Sequence, residues 1–486
     1  MIEARKRFAA LAVLVLALTA CSDEPAPLAA PEPQPSPLDV YVAAPDDAYT
    51  WEVVSETPGE GYTTFVIDLT SQSWLTEDEV DRTLWKHWLT IVRPDEIRSS
   101  HGLLFIGGGA NGREAPTAAN PLLVGPALAT GTVTAELGQI PNQPISFVGD
   151  DFGPRVEDQL IAYGWDKYLR SPERSSAEPP ADGIGSAKWL ARLPMTKGAV
   201  RALDTITAFM ASEAGGGAIV DQFVVSGGSK RGWTTWTTAV VDERVIAIAP
   251  IVIDMLNSVP SFEHHYAAYG FWAPAVGDYE REGIMEWMRT PEYDELLAVT
   301  EPFSYLDRLT LPKMIINASG DQFFLPDSWQ FYWDELQGEK HLRYVANADH
   351  SLDGSDAGVT LGAFYASVVA GTARPDYSWQ QEGDQLVVQI DAANPPSSIQ
   401  LWTATNEAAR DFRVETFGEN WLSTELTADE GGRVAVPLAP PANGWTARFV
   451  ELTYGEPPAE LKVTTGIFVS PLSLPFEVPA RVAAAG

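Results

Sequence analysis

Residues 221–236, DQFVVSGGSKRGWTTW, constrain this chain more than any other stretch. A β-branched and aromatic run at 218–225 reads as a buried strand. It breaks at Gly227-Gly228-Ser229-Lys230-Arg231-Gly232, and a segment with few breakers then runs as a helix to about Asp242. A strand, a tight glycine turn holding a serine, and a helix together make the setting of a nucleophile elbow. Gly227 stands two residues before the serine, where backbones must pack closely. The usual second glycine falls two residues after the serine. Here that place is Arg231, and the glycine comes one later, at Gly232. Over these residues alone, a plain glycine-rich turn with a solvent-facing serine is the alternative.

Two later strands supply the partners a nucleophilic serine needs. The apolar run 313–318, KMIINA, ends in Ser319-Gly320-Asp321, and the run 341–346, HLRYVA, ends in Asn347-Ala348-Asp349-His350. Serine, then acid, then histidine at successive strand ends is the chain order of α/β-hydrolases. Of the six histidines, His87 and His101 precede the serine, His264 and His265 precede the acid, and His341 opens a strand. His350 alone closes one. The expected catalytic set is therefore Ser229, Asp321 and His350. Asp254, at the end of the apolar run 244–253, is the alternative acid and a substrate-binding candidate.

Upstream, the strand 101–106 runs into Gly107-Gly108-Gly109-Ala110-Asn111-Gly112. Backbone N–H groups of Gly108, Gly109 or Ala110, with that of Lys230, are expected to face an oxyanion. A flexible glycine loop is the bland alternative. The side chains of Lys230 and Arg231 read either as surface charges or as groups meeting a substrate carboxylate or oxyanion, with Arg231 the substrate-binding candidate. Glu263-His264-His265 lacks the spacing of a metal site, so no metal and no cofactor are expected.

At 486 residues the chain exceeds one ordinary core, so two domains are expected. Residues 38–372 read as an α/β-hydrolase domain. Strands are expected at 49–54, 62–69, 83–92, 133–137 and 145–148, with helices at 157–169 and 198–212. Residues 255–300, rich in aromatics and poor in strand signals, suit a lid-like insertion or pocket wall. Residues 373–486 read as a β-sandwich-like domain. Its expected strands are 377–390, 398–404, 413–417, 432–437, 445–454 and 461–469, separated by Asn-Pro, Pro-Pro and Gly-rich breakers.

The first residues are a targeting segment. Arg5, Lys6 and Arg7 precede the apolar run 8–18, which closes on Leu18-Thr19-Ala20-Cys21. This resembles a bacterial lipobox, so 1–20 is expected to be a lipoprotein signal peptide and Cys21 the lipidated residue. Cys21 is the one cysteine of the chain, which excludes an intrachain disulfide. Residues 21–37, rich in Pro and Ala, read as a tether. By this reading the protein is exported to the cell envelope. A non-acidic Ser22 points by resemblance to the outer membrane; otherwise it is periplasmic or secreted, and it touches membrane through its anchor only. A formal net charge of −34 with no basic patch disfavours nucleic-acid binding.

The elbow VVSGGSKRGWTTW, LLFIGGGAN, ASGDQFF, ANADHSL and the later WTATN…ARDFR together resemble the PhoPQ-activated pathogenicity-related proteins, over roughly residues 40–475. The resemblance implies an α/β-hydrolase fold. The Gly-x-Ser-basic-x-Gly turn also resembles that of glucuronoyl esterases, where a basic residue at the place of Lys230 helps hold the oxyanion. The chain departs from them in carrying Gly228 where they usually have Cys. The expected activity is serine-dependent hydrolysis of an ester or amide, on a small-molecule, glycan-ester or peptide substrate. A serine peptidase is one alternative, and a catalytically silent surface lipoprotein that binds a partner is the other.

Overall fold

The computed structural model describes residues 34–175, 180–457 and 459–479. The chain divides into two units, Met1–Pro35 and Ser36–Gly486. The expected signal peptide, the lipidated Cys21 and the tether as far as residue 33 lie outside the described residues. Among the described residues no helix is long and apolar enough to cross a membrane.

The larger unit is built on a nine-stranded sheet. Its strands are β1 (Thr50–Pro58), β2 (Tyr62–Ser73), β3 (Leu84–Pro94), β4 (His101–Ile106), β5 (Val133–Leu137), β6 (Gln222–Gly228), β7 (Val245–Ile251), β8 (Lys313–Ala318) and β9 (Lys340–Val345). Their order is β1-β2-β3-β5-β4-β6-β7-β8-β9. The first three strands and β5 pair antiparallel in turn, and from β5 onward through β4 to β9 every pairing is parallel. This is an α/β-hydrolase fold with one extra strand at its antiparallel edge. The chain steps from β4 out to β5 and then back across β4 to β6, so the strand order reverses there. Ligand crevices form at such a reversal, outside the C-terminal strand ends.

Alternation along the strands sends side chains to two cores. Leu104, Ile106, Phe223 and Val225 enter one core, while Leu103 and Val224 enter the other. The helices before the C-terminal strands, among the described residues, are α1 (Pro37–Ala43), α2 (Pro121–Thr130), α3 (Glu157–Leu169), α4 (Arg192–Ala211), α5 (Lys230–Val241), α6 (Ser258–Tyr269), α7 (Gly277–Arg281), α8 (Pro291–Thr300) and α9 (Ala357–Ala370). Residues of α3, α4 and α5 fill the first core, and those of α2 and α9 the second. Residues 258–300, within the expected insertion, form α6, α7, α8 and two short 3-10 turns.

α5, KRGWTTWTTAVV, has weak helix propensity. Burial overrides it, and the buried threonines return their hydroxyls to the preceding turn: Thr234 donates to Lys230 O at 3.0 Å and Thr238 to Thr234 O at 2.7 Å.

The C-terminal strands are β10 (Tyr377–Glu382), β11 (Gln385–Ile390), β12 (Ser398–Asn406), β13 (Leu422–Glu425), β14 (Arg433–Pro437), β15 (Trp445–Tyr454), β16 (Leu461–Thr464) and β17 (Phe468–Ser470). They form two antiparallel sheets, β10-β11-β14 and β13-β12-β15-β16, with β17 also on β15. Leu386 and Val388 of the first sheet and Val450 and Leu452 of the second share one core with Met314 and Ile316 of β8.

Several sequence expectations are corrected. Residues 377–390 make a hairpin turning at Gly383, whose φ of 62° suits glycine. Residues 414–417 are a short helix rather than a strand; Arg413 at its start is held by Asp411 and Glu415. The expected strand 461–469 is split at Gly466, where the Trp329 ring crosses the backbone. Residues 145–148 pair only by isolated bridges, Ile145 to Arg155 and Val80 to Phe147. α4 begins six residues before the expected 198. Pro194 sits in its first turn, where a missing N–H costs nothing.

A Cβ at Gly466 would lie 2.1 Å from the Trp329 ring, which also donates through Nε1 to Ile467 O at 2.8 Å. Gly466→Ala is expected to lower stability by about 1–3 kcal/mol, because that ring cannot withdraw from its packed neighbours. Urea unfolding checks this. A midpoint equal to wild type would show that the seam yields freely.

Candidate active site

Because β4, β6, β7, β8 and β9 run parallel, the loops after them emerge at one edge of the sheet. Ser229 follows β6, Asp321 follows β8 and His350 follows β9.

Ser229 sits at φ 59°, ψ −126°, a strained conformation for any residue with a Cβ. Its N–H donates to Ile251 O at 2.8 Å, and its carbonyl accepts from Trp233 N at 3.0 Å. The flanking glycines explain the displaced motif. A Cβ at Gly227 would lie 2.9 Å from Arg231 O, and one at Gly232 would lie 2.9 Å from Ile251 O and 3.0 Å from Gly227 O. The helix thus meets both strands at Gly232, one residue after the usual position. Arg231 projects elsewhere.

His350 Nδ1 and Asp321 Oδ2 are 2.7 Å apart. Asp321 is buried, and its other oxygen accepts from Phe323 N at 2.7 Å. His350 packs on the Phe323 ring with centroids 4.3 Å apart, and its own N–H donates to Gln322 Oε1 at 3.2 Å. Its Nε2 is buried and makes no hydrogen bond among the described residues, so the bond to Ser229 is not formed in this arrangement. Phe323 and Phe324 join the two centres. Both pack against His350, and both line a pocket with Ser229. That pocket is walled also by Arg192, Trp233, Phe262 and Tyr279.

The remaining candidates fall in two groups. Lys230 is buried, not a surface charge. Its Nζ lies 2.8 Å from Glu157 Oε2 and 3.0 Å from Asp158 Oδ2. Arg231 binds Glu157 at 2.6 Å and donates through Nε to Ile140 O. Burial works to raise the Glu157 pKa, but the Lys230 and Arg231 charges overcome it and hold the carboxyl at about 2. Both cations are thereby engaged by carboxylates of this chain. The glycine loop is stitched in place: Gly107 O accepts from Ile140 N at 3.1 Å and Gly108 O from Gln139 N at 2.9 Å. Gly108 packs on the Arg231 guanidinium, where a Cβ would lie 2.6 Å from Nη2. The Lys230, Gly108, Gly109 and Ala110 N–H groups form no hydrogen bond among the described residues.

Asp254 stands apart from this set. Tyr332 donates to one of its oxygens at 2.6 Å and Tyr344 to the other. It pairs with no histidine and is not among the pocket walls. Sequence reasoning missed Arg192, Asp158 and Tyr279. They lie on α4, α3 and α7, and no motif marks them. Among the described residues no group of three or more His, Cys, Asp or Glu is placed to hold a metal ion.

A family model described as PhoPQ-activated pathogenicity-related protein matches residues 38–413. The chain belongs to this family. It is 36% identical over 469 residues to autocrine proliferation repressor protein A of Dictyostelium discoideum, covering 91% of this chain and 92% of the relative. Among solved structures it is similar to acetyl xylan esterase 1 from Thermoanaerobacterium sp. JW/SL YS485, with 14% identity, 68% of this chain and 91% of that one covered, and a TM-score of 0.42. It is also similar to a glucuronoyl esterase from Solibacter usitatus, with 16% identity, the same two coverages and a TM-score of 0.35. Similarity at that level assigns no substrate to this chain.

The strain at Ser229 is open to direct measurement. Ser229→Gly is expected to be more stable than Ser229→Ala by about 1 kcal/mol or more, since glycine adopts this backbone freely. Equal urea midpoints for the two variants would remove the strain.

Burial raises the Asp254 pKa to about 8. An aspartate in the unfolded chain titrates near ~3.9. Between those values the folded state holds a proton that the unfolded state releases, so stability falls as pH rises through that window. Glu301, raised to about 7 by burial, adds a slope of the same sign. Asp254→Asn is expected to flatten the profile while the Glu301 contribution persists. Urea midpoints from about pH 5 to about pH 8 check this, and a profile as steep as wild type would rule Asp254 out as its source.

Proposed function

We propose that this protein is an exported serine hydrolase that cleaves carboxylic esters or amides through Ser229, His350 and Asp321. The observation that carries the reading is the Asp321–His350 pair, whose free Nε2 adjoins the aromatic wall of the pocket holding Ser229. Ser229 attacks the acyl carbonyl. His350 Nε2 takes the hydroxyl proton and returns it to the leaving group, and Asp321 fixes the ring through Nδ1 and stabilises its charged form. The Ser229–His350 hydrogen bond forms as substrate closes the site, since such bonds are often loose without it.

The Lys230 N–H, at the start of α5, and one of the N–H groups of Gly108, Gly109 or Ala110 receive the oxyanion. Loss of one such donor typically costs about 3 kcal/mol of barrier. The substrate is a small-molecule, glycan-ester or peptide carbonyl compound. The lipobox-like Leu18-Thr19-Ala20-Cys21 supports a mature protein in the cell envelope, held by a lipid on Cys21. In this reading residues 38–372 carry the chemistry, 255–300 wall the pocket and 373–486 brace it.

A fluorophosphonate probe tests the reading. Wild type is expected to be labelled and Ser229→Ala to be silent. His350→Ala and Asp321→Asn are expected to lose about a thousandfold or more in ester turnover. A folded wild-type protein that takes no label and turns over no ester would leave a binding protein on a hydrolase fold.

A further inference from the structure

Arg192 opens α4 and lines the pocket beside Ser229 with only 3% of its surface exposed. Nη1 donates to Lys230 O at 3.0 Å, and the guanidinium lies 4.5 Å from the Trp233 ring centroid. Its Nε has no hydrogen-bond partner among the described residues. No carboxylate oxygen among them lies within 4.0 Å of its nitrogens, whereas Lys230 and Arg231 both reach one.

The cations around the pocket are therefore unequally matched. Lys230 and Arg231 are each met by Glu157 or Asp158, whereas Arg192, which lines the same pocket, forms no such ion pair among the described residues. Tyr279 and Asp158 favour the Arg192 charge in part, Tyr279 as a neutral hydrogen-bonding group. The Tyr279 hydroxyl donates to Asp158 at 3.0 Å, and burial keeps the phenol in its neutral form. Removing a guanidinium from water is costly unless an anion meets it, and a cation–π contact with one carbonyl is partial compensation. A planar guanidinium matches a carboxylate. Ile253, Met255, Phe262 and Val276 make an apolar stretch of the wall, while Asp158, already bound to Lys230, lines it as well.

We propose that Arg192 binds a carboxylate carried by the substrate, so that the site takes esters bearing one anionic group a few bonds from the scissile carbonyl, with an apolar stretch between. The inference rests on the hydrolase reading and adds its substrate class. Arg192 is then a specificity-determining residue, and the partner that Lys230 and Arg231 were expected to meet falls to it.

The test compares 4-nitrophenyl hydrogen glutarate with 4-nitrophenyl valerate, whose acyl chains are equally long and end in a carboxylate or a methyl. Wild type is expected to favour the glutarate in kcat/KM by about ten- to a hundredfold, the contribution of a hydrogen-bonded ion pair. Arg192→Met, and Arg192→Gln, which keeps a donor for Lys230 O, are each expected to erase that ratio. Thermal melting checks that the variants fold. A wild-type ratio near one, or variants that slow both esters alike with the ratio intact, would overturn the inference and leave the hydrolase reading standing. If neither ester is hydrolysed, calorimetric titration with glutarate decides. Binding lost in Arg192→Gln upholds the carboxylate site and no binding to wild type overturns it, while the fluorophosphonate label decides the hydrolase reading separately.

Discussion

The close meeting of α5 with β6 and β7 is the constraint on which the site depends. Gly232 has no room for a Cβ between Ile251 O and Gly227 O, so the helix axis comes near enough to the sheet to force Ser229 into its strained backbone. That strain is a local cost of order 1–3 kcal/mol, held by two hydrogen bonds at the turn and by the buried Trp233 and Trp236 behind it. A serine so placed stands at a helix N-terminus with its neighbour's N–H unused. This is the arrangement an oxyanion requires.

The acid and histidine depend on a different support. Gly320 N–H donates to Ala348 O at 3.0 Å, which ties the loop of Asp321 to the loop of His350. The Gly320 carbonyl accepts from Val414 N at 3.0 Å, and a Cβ at Gly320 would lie 2.6 Å from the Val414 side chain. Asn347 exchanges two further bonds with the Trp421 backbone. Arg410, buried, pairs with Asp327, which also binds His264 at 3.0 Å. The segment after residue 404 thus braces the loops that hold the Asp321–His350 pair. That segment lies between β12 and β13, and the C-terminal strands themselves share a core with β8.

Much of this was legible in the sequence, for physical reasons. Buried parallel strands are continuous apolar runs, so β8 coincides with KMIINA and β9 lies within one residue of HLRYVA. Strand ends followed by Gly, Ser, Asp and His mark one edge of the sheet, so Asp321 and His350 could be paired before any distance was known. What stayed hidden was tertiary. Nothing local tells that Lys230 and Arg231 turn away to Glu157 and Asp158, because those carboxylates lie more than seventy residues earlier. Pro194 masked the first turn of α4 and with it Arg192. The strand expected at 413–417 failed because Arg413 is anchored by two neighbouring carboxylates and Val414 is spent on Gly320.

The two fates of the basic residues near Ser229 follow from one rule. A buried cation is tolerated when a carboxylate meets it, and such pairs add little net stability because desolvation consumes most of the attraction. Lys230 and Arg231 obey this, and their effect is positional: through Glu157 and Ile140 they clamp the elbow to α3 and to the loop beside Gly108. Arg192 is under the same penalty without the same remedy. Its position is set by α4, whose first turn packs on the elbow, and there it donates to the carbonyl of Lys230. A neutral residue of similar length would fill that space at lower cost. A cation is worth keeping there if an anion arrives from outside, and the pocket is where one can enter.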